Sequence, residues 1–441
     1  MTKSRYISHI SKPVLLLGLL LGLPLLVAAL LLQWHPTVPF NSTLDNVAIN
    51  SIEELIVDNA PARIGAPGEI VLHLDAAELN LLAAFLLQNI PGTQEVTADV
   101  AIQDGSASVD MSVPWATPIT TFYLNLHSRV SQGAQRLELS SVKIGHLSLP
   151  NFLVQLLTER LEARLASSYV NYQELVNLQQ SLREVSFSPD LMQIKMDWEP
   201  RLISRVQTQA EQLFLSAEDK ERIVFYFGNI VELVENQPQD TRSISLNLLL
   251  FPLFETALQR VLNGADPVVE NRSLLQALSL YVNESDLSQL VDPLGAAALI
   301  TPRRLNVTIQ RRPDLAQHFT SSAAMSATVG AGVAGILSTS KEVHDARYRS
   351  GFSFSDLTAN IAGVALGNAA TNSPLEAQQL QQSLASAGEE TDYMPPVSRD
   401  NAGLTEDDFS AQFTDRNSEA YVARMADIDE QIAALPIYLM N

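Results

Sequence analysis

Hydrophobic positions are arranged in distinct regimes along this chain. From Val14 to Leu32 they are continuous (VLLLGLLLGLPLLVAALLL), with no charged residue. Nineteen residues at a helical rise of about 1.5 Å nearly match a hydrocarbon core of about 30 Å. The pattern predicts a transmembrane anchor over 13–34, with Trp34 as its interfacial aromatic. A cleaved signal peptide would have a shorter apolar region and a small-residue cleavage site, and LLLQWHPTV is a poor one. Residues 35–68, rich in Pro, Asn and Ser, read as a tether with one short helix near Ser51–Asp58. Alternation takes over next. EIVLHL (69–74) reads as a strand, and VTADVAI (96–102), SASVDMSV (106–113), ITTFYLNLH (119–127) and RLELSSVKIGHLSLP (136–150) read as an antiparallel meander. Asp75 is placed to cap a helix over AAELNLLAAFLLQNI, and Asp104-Gly105 and Ser131–Gly133 mark turns. From 151 to 235 the spacing turns helical, apart from the alternating DLMQIKMDW (190–198), which is expected to rejoin the sheet. Helical segments recur at Leu246–Leu262 and Asn271–Tyr281, and RRLNVTI (303–309) reads as a short strand.

These elements predict an α+β fold: a transmembrane helix, an antiparallel sheet domain with helices, and a mostly α-helical C-terminal half. The divisions are a cytoplasmic tail (1–12), the anchor (13–34), a tether (35–68), a sheet domain (69–200), a helical middle region (201–313), a small-residue helical unit (314–373) and an acidic tail with a closing helix near Glu419–Ile437 (374–441). The 441 residues suffice for two or three domains.

Charge orients the chain. Lys3, Arg5 and Lys12 precede the apolar run, whereas Asp45, Glu53, Glu54, Asp58 and Glu69 outnumber Arg63 after it. The positive-inside rule places the N-terminus in the cytoplasm and the bulk outside, in a bacterial periplasm. A net charge of −21 argues against nucleic acid as a partner. Part of it gathers between Glu389 and Glu430, where twelve acids face three arginines. Cysteine is absent, which excludes disulfides, thiolate metal sites and lipidation on Cys.

Candidate chemistry gathers in the small-residue unit. His318, Glu342, Asp345 and Asp356 are the candidate catalytic residues. Between Phe319 and Ser340 the chain is uncharged and made largely of Ala, Gly, Ser and Thr, so helices can approach closely there, and Gly363-x-x-x-Gly367 offers the same on a partner helix. Such packing would gather an imidazole and carboxylates at one end of a bundle, as general acid/base chemistry or a metal requires. The competing reading is that these groups cap helices and satisfy one another, since no strict metal-ligand spacing is present and Ser353 can cap the helix bearing Asp356. The uncharged stretch also admits a second membrane span. Gly330-x-Gly332-x-x-Gly335 matches a dinucleotide fingerprint but is preceded by no strand, so it reads as a packing feature. No cofactor is implied.

Two regions resemble known families. Leu79-Asn80, the strands joined at Asp104-Gly105, the turn at Gly133 and the run Val142-Lys143-Ile144-Gly145-His146-Leu147-Ser148-Leu149-Pro150 resemble the YpmS-like family of anchored envelope proteins. That resemblance implies a small helix-plus-sheet domain outside the membrane that binds lipid or envelope polymer. His318-Phe319, Lys341-Glu342 with Asp345, and Ser353 through Asp356, Asn360, Gly363 and Gly367 resemble the YfiM-like family of envelope lipoproteins and membrane proteins. This chain has Asn360 where that family has an acid, and a transmembrane helix would replace the lipidated cysteine. The function expected is a single-pass inner-membrane protein that binds a lipid, a glycan or an envelope protein without catalysis. The alternatives are an envelope hydrolase built on 318/342/345/356 and a scaffold that recruits a partner through its acidic tail.

Overall fold

The computed structural model describes residues 29–40, 46–59, 68–89, 95–118, 120–132, 137–156, 182–198, 217–285, 303–330, 351–398 and 403–439, with a few single positions between. The fold is mixed α+β, with an antiparallel sheet and a helical C-terminal half. Among the described residues no helix is long and apolar enough to cross a membrane. The candidate anchor residue Val14, like most of the apolar run, lies outside them.

The chain divides into two compact units. The first comprises Met1–Thr43, Val71–Ser168 and Leu182–Met196. Its main sheet is a meander of β3 (Thr97–Gln103), β4 (Ser106–Ala116), β5 (Thr121–Gln132), β6 (Leu137–Ile144) and β7 (Leu147–Ser148). Asp104-Gly105 makes the first hairpin, with Gly105 at φ +71° and Gln103 opposite Ser106. The last residues of the apolar run also belong to this sheet. Leu32–Gln33 (β1) pair with Leu124 and Tyr123 of β5, in the lane beyond the point where β6 leaves it at Leu126.

A buried polar seam holds the segment just after β1. The Asn125 amide is fully used: Nδ2 donates to Gln33 Oε1 and to the His35 carbonyl, at 2.9 Å for the latter, while Oδ1 accepts from Ser112 Oγ at 2.6 Å and Thr37 N at 3.1 Å. Ser112 Oγ also accepts from Thr37 N and Val38 N, and Thr97 Oγ1 donates to the Val38 carbonyl. At Gly145, with φ +57°, a Cβ would lie 2.4 Å from the Leu31 carbonyl oxygen, so only glycine admits the chain there. The stretch read as the start of a tether is thus fastened to the sheet through Val38. The short helix expected within 51–58 extends over Asn46–Asn59.

The helix Ala76–Asn89 begins with a capping box: Asp75 Oδ1 accepts from Glu78 N, and Glu78 Oε2 accepts from Asp75 N. Asn80 then fastens it to β3. Its Oδ1 accepts from Val100 N at 2.6 Å and its Nδ2 donates to the Val100 carbonyl at 2.8 Å, as a neighbouring strand would. The segment at 190–198 does become a strand (β9, Leu191–Trp198), but it pairs with β2 (Gly68–Asp75) and β8 (Leu182–Ser188) in a separate three-stranded sheet. Strand β8 departs from the helix that the spacing predicts. Its apolar Val185 and Phe187 alternate, and Pro189-Asp190, with Asp190 at φ +65°, closes a tight hairpin onto β9.

The second unit comprises Leu44–Ile70, Tyr169–Ser181 and Asp197–Asn441. Helices Ala217–Glu235, Asn247–Leu262, Pro267–Val282, Pro313–Val329, Phe354–Thr371 and Pro374–Ser386 share one hydrophobic core. The expected strand near 303–309 is Asn306–Thr308, paired in parallel with Ser243–Ser245. The middle region, the small-residue unit and the acidic tail therefore form a continuous body. Helices Glu406–Phe413 and Glu419–Ala433 bring Phe409, Phe413 and Tyr421 into a ring cluster with Phe352 and Phe354. The acids of this stretch lie mainly on the outside while its apolar side chains fill the core.

Asn80→Leu keeps the branched side-chain shape and removes both bonds to Val100. Urea unfolding is expected to show a loss of about 2 kcal/mol, two ordinary hydrogen bonds' worth. A change within a few tenths would mean that the amide does not hold the helix to the sheet edge.

Candidate functional site

The site is built on two helices that touch backbone to backbone. A Cβ on Gly363 would lie 2.2 Å from the Phe319 carbonyl oxygen, and one on Gly367 would lie 2.3 Å from that of Ala323. Ser326 Oγ donates to the Val364 carbonyl at 2.8 Å in the same seam. The close approach expected from the small residues is present, and it sets the register of everything around it. Pro313 opens the first helix at a position where a missing N–H costs nothing. Ser353 caps the second, its Oγ accepting from Asp356 N at 3.2 Å.

This register brings His318 beside Asp356 and Asn360. The His318 Nδ1 lies 3.1 Å from Asn360 Oδ1, which also accepts from Ser322 Oγ at 3.0 Å. With the amide oxygen facing the ring, the contact suits the tautomer protonated at Nδ1. The other ring nitrogen faces Asp356 Oδ2 at 3.7 Å, beyond hydrogen-bond length. Asp356 Oδ1 is held by Arg312 at 2.9 Å, and Arg312 also forks onto Asp314 at 2.5 Å. Burial works to raise the Asp314 carboxyl, but the hydrogen bond and charge of Arg312 outweigh it and hold Asp314 below the usual carboxylate range. The Arg312 guanidinium is pushed up in turn, first by its hydrogen bond to Asp314, with Asp356 adding to it. Asn360 is buried, and its Nδ2 has no hydrogen-bond partner among the described residues.

Of the four expected catalytic residues, His318 and Asp356 come together. Glu342 and Asp345, with Lys341, lie outside the described residues. Arg312 and Ser322 join the site without having been expected there, although Arg312-Pro313-Asp314 carries the signal of a charged pair flanking a helix-opening proline. Asn360 can orient an imidazole through its amide oxygen, but it cannot supply the negative charge that a carboxylate would. Among the described residues, no group of three or more His, Asp and Glu is placed to hold a metal. Gly330, the first glycine of the fingerprint-like string, ends the helix after Val329 at φ +95°.

A second polar cluster lies deeper in the same unit. Glu270 is 3% exposed. It accepts from Arg260 at 2.7 and 3.1 Å and from the Tyr226 hydroxyl at 2.5 Å. Burial, and then the Glu270 carboxylate, push the Tyr226 hydroxyl far up. Next to Glu270, Asn271 donates to the Ala370 and Ala377 carbonyls and accepts from Gln381. Arg272 Nε donates to the Ala327 carbonyl at 3.0 Å. Three consecutive polar residues in a helix otherwise rich in Leu are the sequence signal for this hub.

No family model, no curated protein and no solved structure matches this chain.

Gly363→Ala forces its methyl against backbone, which cannot give way as a side chain would. A loss of about 1–3 kcal/mol is expected in chemical denaturation; an unchanged midpoint would refute the close contact. The alkaline limb carries a second expectation. Burial raises the hydroxyls of Tyr226, Tyr281, Tyr393 and Tyr438 in the folded state. Unfolded tyrosines ionise near pH 10, so the stabilisation is complete below that value and is lost as pH rises above it, at up to about 1.4 kcal/mol per pH unit for each group. Tyr226→Phe is expected to flatten this decline; an unchanged slope would show that Tyr226 ionises freely in the fold.

Proposed function

We propose that this chain is a single-pass inner-membrane protein, its N-terminus cytoplasmic and its bulk periplasmic, that binds an envelope component without catalysis. One observation carries the reading. The apolar run does not pass into a slack linker: its last residues are strand β1, and the Asn125–Ser112 seam holds His35, Thr37 and Val38 directly after it. A sheet fastened to the end of a membrane-length apolar segment is suited to presenting a binding surface at the bilayer. The resemblances at 69–155 and 314–367 agree with an envelope address.

Lipid is favoured over glycan or protein as the bound component by a shallow recess in the first unit that exposes apolar side chains. It is lined by Pro39, Phe40, Ala84, Leu87, Val96 and Ala98, among others, and Phe40 is exposed beside it. Mass spectrometry of the full chain purified from membranes tests this. A co-purifying lipid is expected, and Ala84→Trp, which fills the recess, is expected to lose it while remaining in the pellet after alkaline carbonate washing. Absence of lipid from both proteins would sink the lipid version.

The hydrolase reading rests on His318 facing Asp356 with its Nδ1 in contact with the Asn360 amide. It requires ester or amide hydrolysis that His318→Gln abolishes in a normally folded protein. The scaffold reading rests on the acids carried by the surface of 374–441.

A further inference from the structure

The first unit's main sheet has unlike faces. Residues that oppose one another in the ladder share a face. On one face Trp115 opposes Phe122, Val113 opposes Leu124 and Met111 opposes Leu126. Leu32 joins this face opposite Leu124, and Leu147 joins it through Ile144, which opposes Leu126. On the reverse face are Asp110, Ser112, Asn125 and His127, with Asp110 bonded to His127 at 2.7 Å.

The apolar face is open at one end. Trp34 is 66% exposed and Trp115 is 60% exposed, although both are large apolar rings. They flank Phe122: the Trp34 ring lies 4.8 Å from it, and Trp115 is its cross-strand partner. Leu30 and Leu147 are exposed as well. The His146 N–H donates to the Leu30 carbonyl at 2.8 Å, which fixes the end of the apolar run beside Leu147.

The geometry points to this face as a bilayer-docking surface, with Trp34, Trp115 and Phe122 seated in the interfacial layer of the membrane that the apolar run enters. The inference rests on the membrane-tether reading and adds that the folded sheet itself contacts lipid. Two facts select lipid over a protein partner. The membrane-length apolar run ends at Leu32, inside this face, and Trp34 is two residues on, within about 7 Å at strand rise. In addition, the residues of the open end are aromatic and aliphatic without a charged side chain among them, the composition of an interfacial belt.

The molecule carries three tryptophans, and the third, Trp198, is buried. That makes quenching by brominated lipid a direct test. The full chain, its Trp34→Phe and Trp115→Phe variants and the double variant are reconstituted in phosphatidylethanolamine–phosphatidylglycerol vesicles. These are doped with phosphatidylcholine brominated either near the headgroup or deep in the acyl chain. Trp34 adjoins the anchor, so Trp115 is the informative reporter. The Trp34→Phe protein is expected to lose emission most with shallow bromines, and the double variant to lose none. Equal, negligible quenching in the Trp34→Phe and double variants, with both proteins still in the pellet after carbonate washing, would overturn the docking and leave the tether standing. Release of every variant by carbonate would overturn the tether and the docking with it. A Trp115 signal that changes only on dimerisation, read by crosslinking in the same vesicles, would assign the face to a second copy and also overturn the inference.

Discussion

The helical unit depends on how one helix satisfies three consecutive polar residues, two of them buried and the third half-buried. Glu270, Asn271 and Arg272 sit in Pro267–Val282, and each reaches a different neighbour. Glu270 holds Tyr226 and Arg260 of two preceding helices, Asn271 holds carbonyls and Gln381 on two later ones, and Arg272 takes the Ala327 carbonyl. Ala327 and Ala370 lie in the last turns of their helices, where carbonyls lack partners of their own. Buried polar groups tolerate few alternative pairings, so the hub fixes axial positions that apolar packing alone would leave loose. The glycine seam adds the remaining degree of freedom. With Phe319 and Ala323 carbonyls pressed on Gly363 and Gly367, His318 is brought against Asp356 and Asn360.

Much of the secondary structure is legible in the sequence because its signals are local. Asp75 as a cap, Asp104-Gly105 as a hairpin, the meander from 97 to 148 and the helices after 217 come from period and turn chemistry. Pairing across long stretches is not legible. Strand β8 is hidden because a brief alternation beside helical spacing reads as helix until its partner β9 is known. The parallel partner at Ser243–Ser245 is three residues long, too short to show a period. Of the site, the glycines and His318 are readable from composition. The role of Arg312 is not, since it depends on Asp356 approaching from 44 residues away.

The distribution of acid in the last seventy or so residues carries a related lesson. Net charge along a stretch suggests a solvated tail, yet Tyr393, Met394, Tyr421, Ile428 and Ile432 are core residues. Charge describes which faces of these helices meet water, and ring packing describes how they are held. Arg424 joins the two descriptions by pairing with Asp427 while lying over the Phe354 ring.

The seam around Asn125 also dictates an order of events. Gln33 through Val38 are synthesised first, yet their partners Ser112 and Asn125 arrive 74 to 92 residues later. Long closures of this kind form late, after local hairpins. The β4–β5 hairpin must therefore exist before the leading segment can lock. Until then the segment lacks the side chains that hold it in the folded sheet.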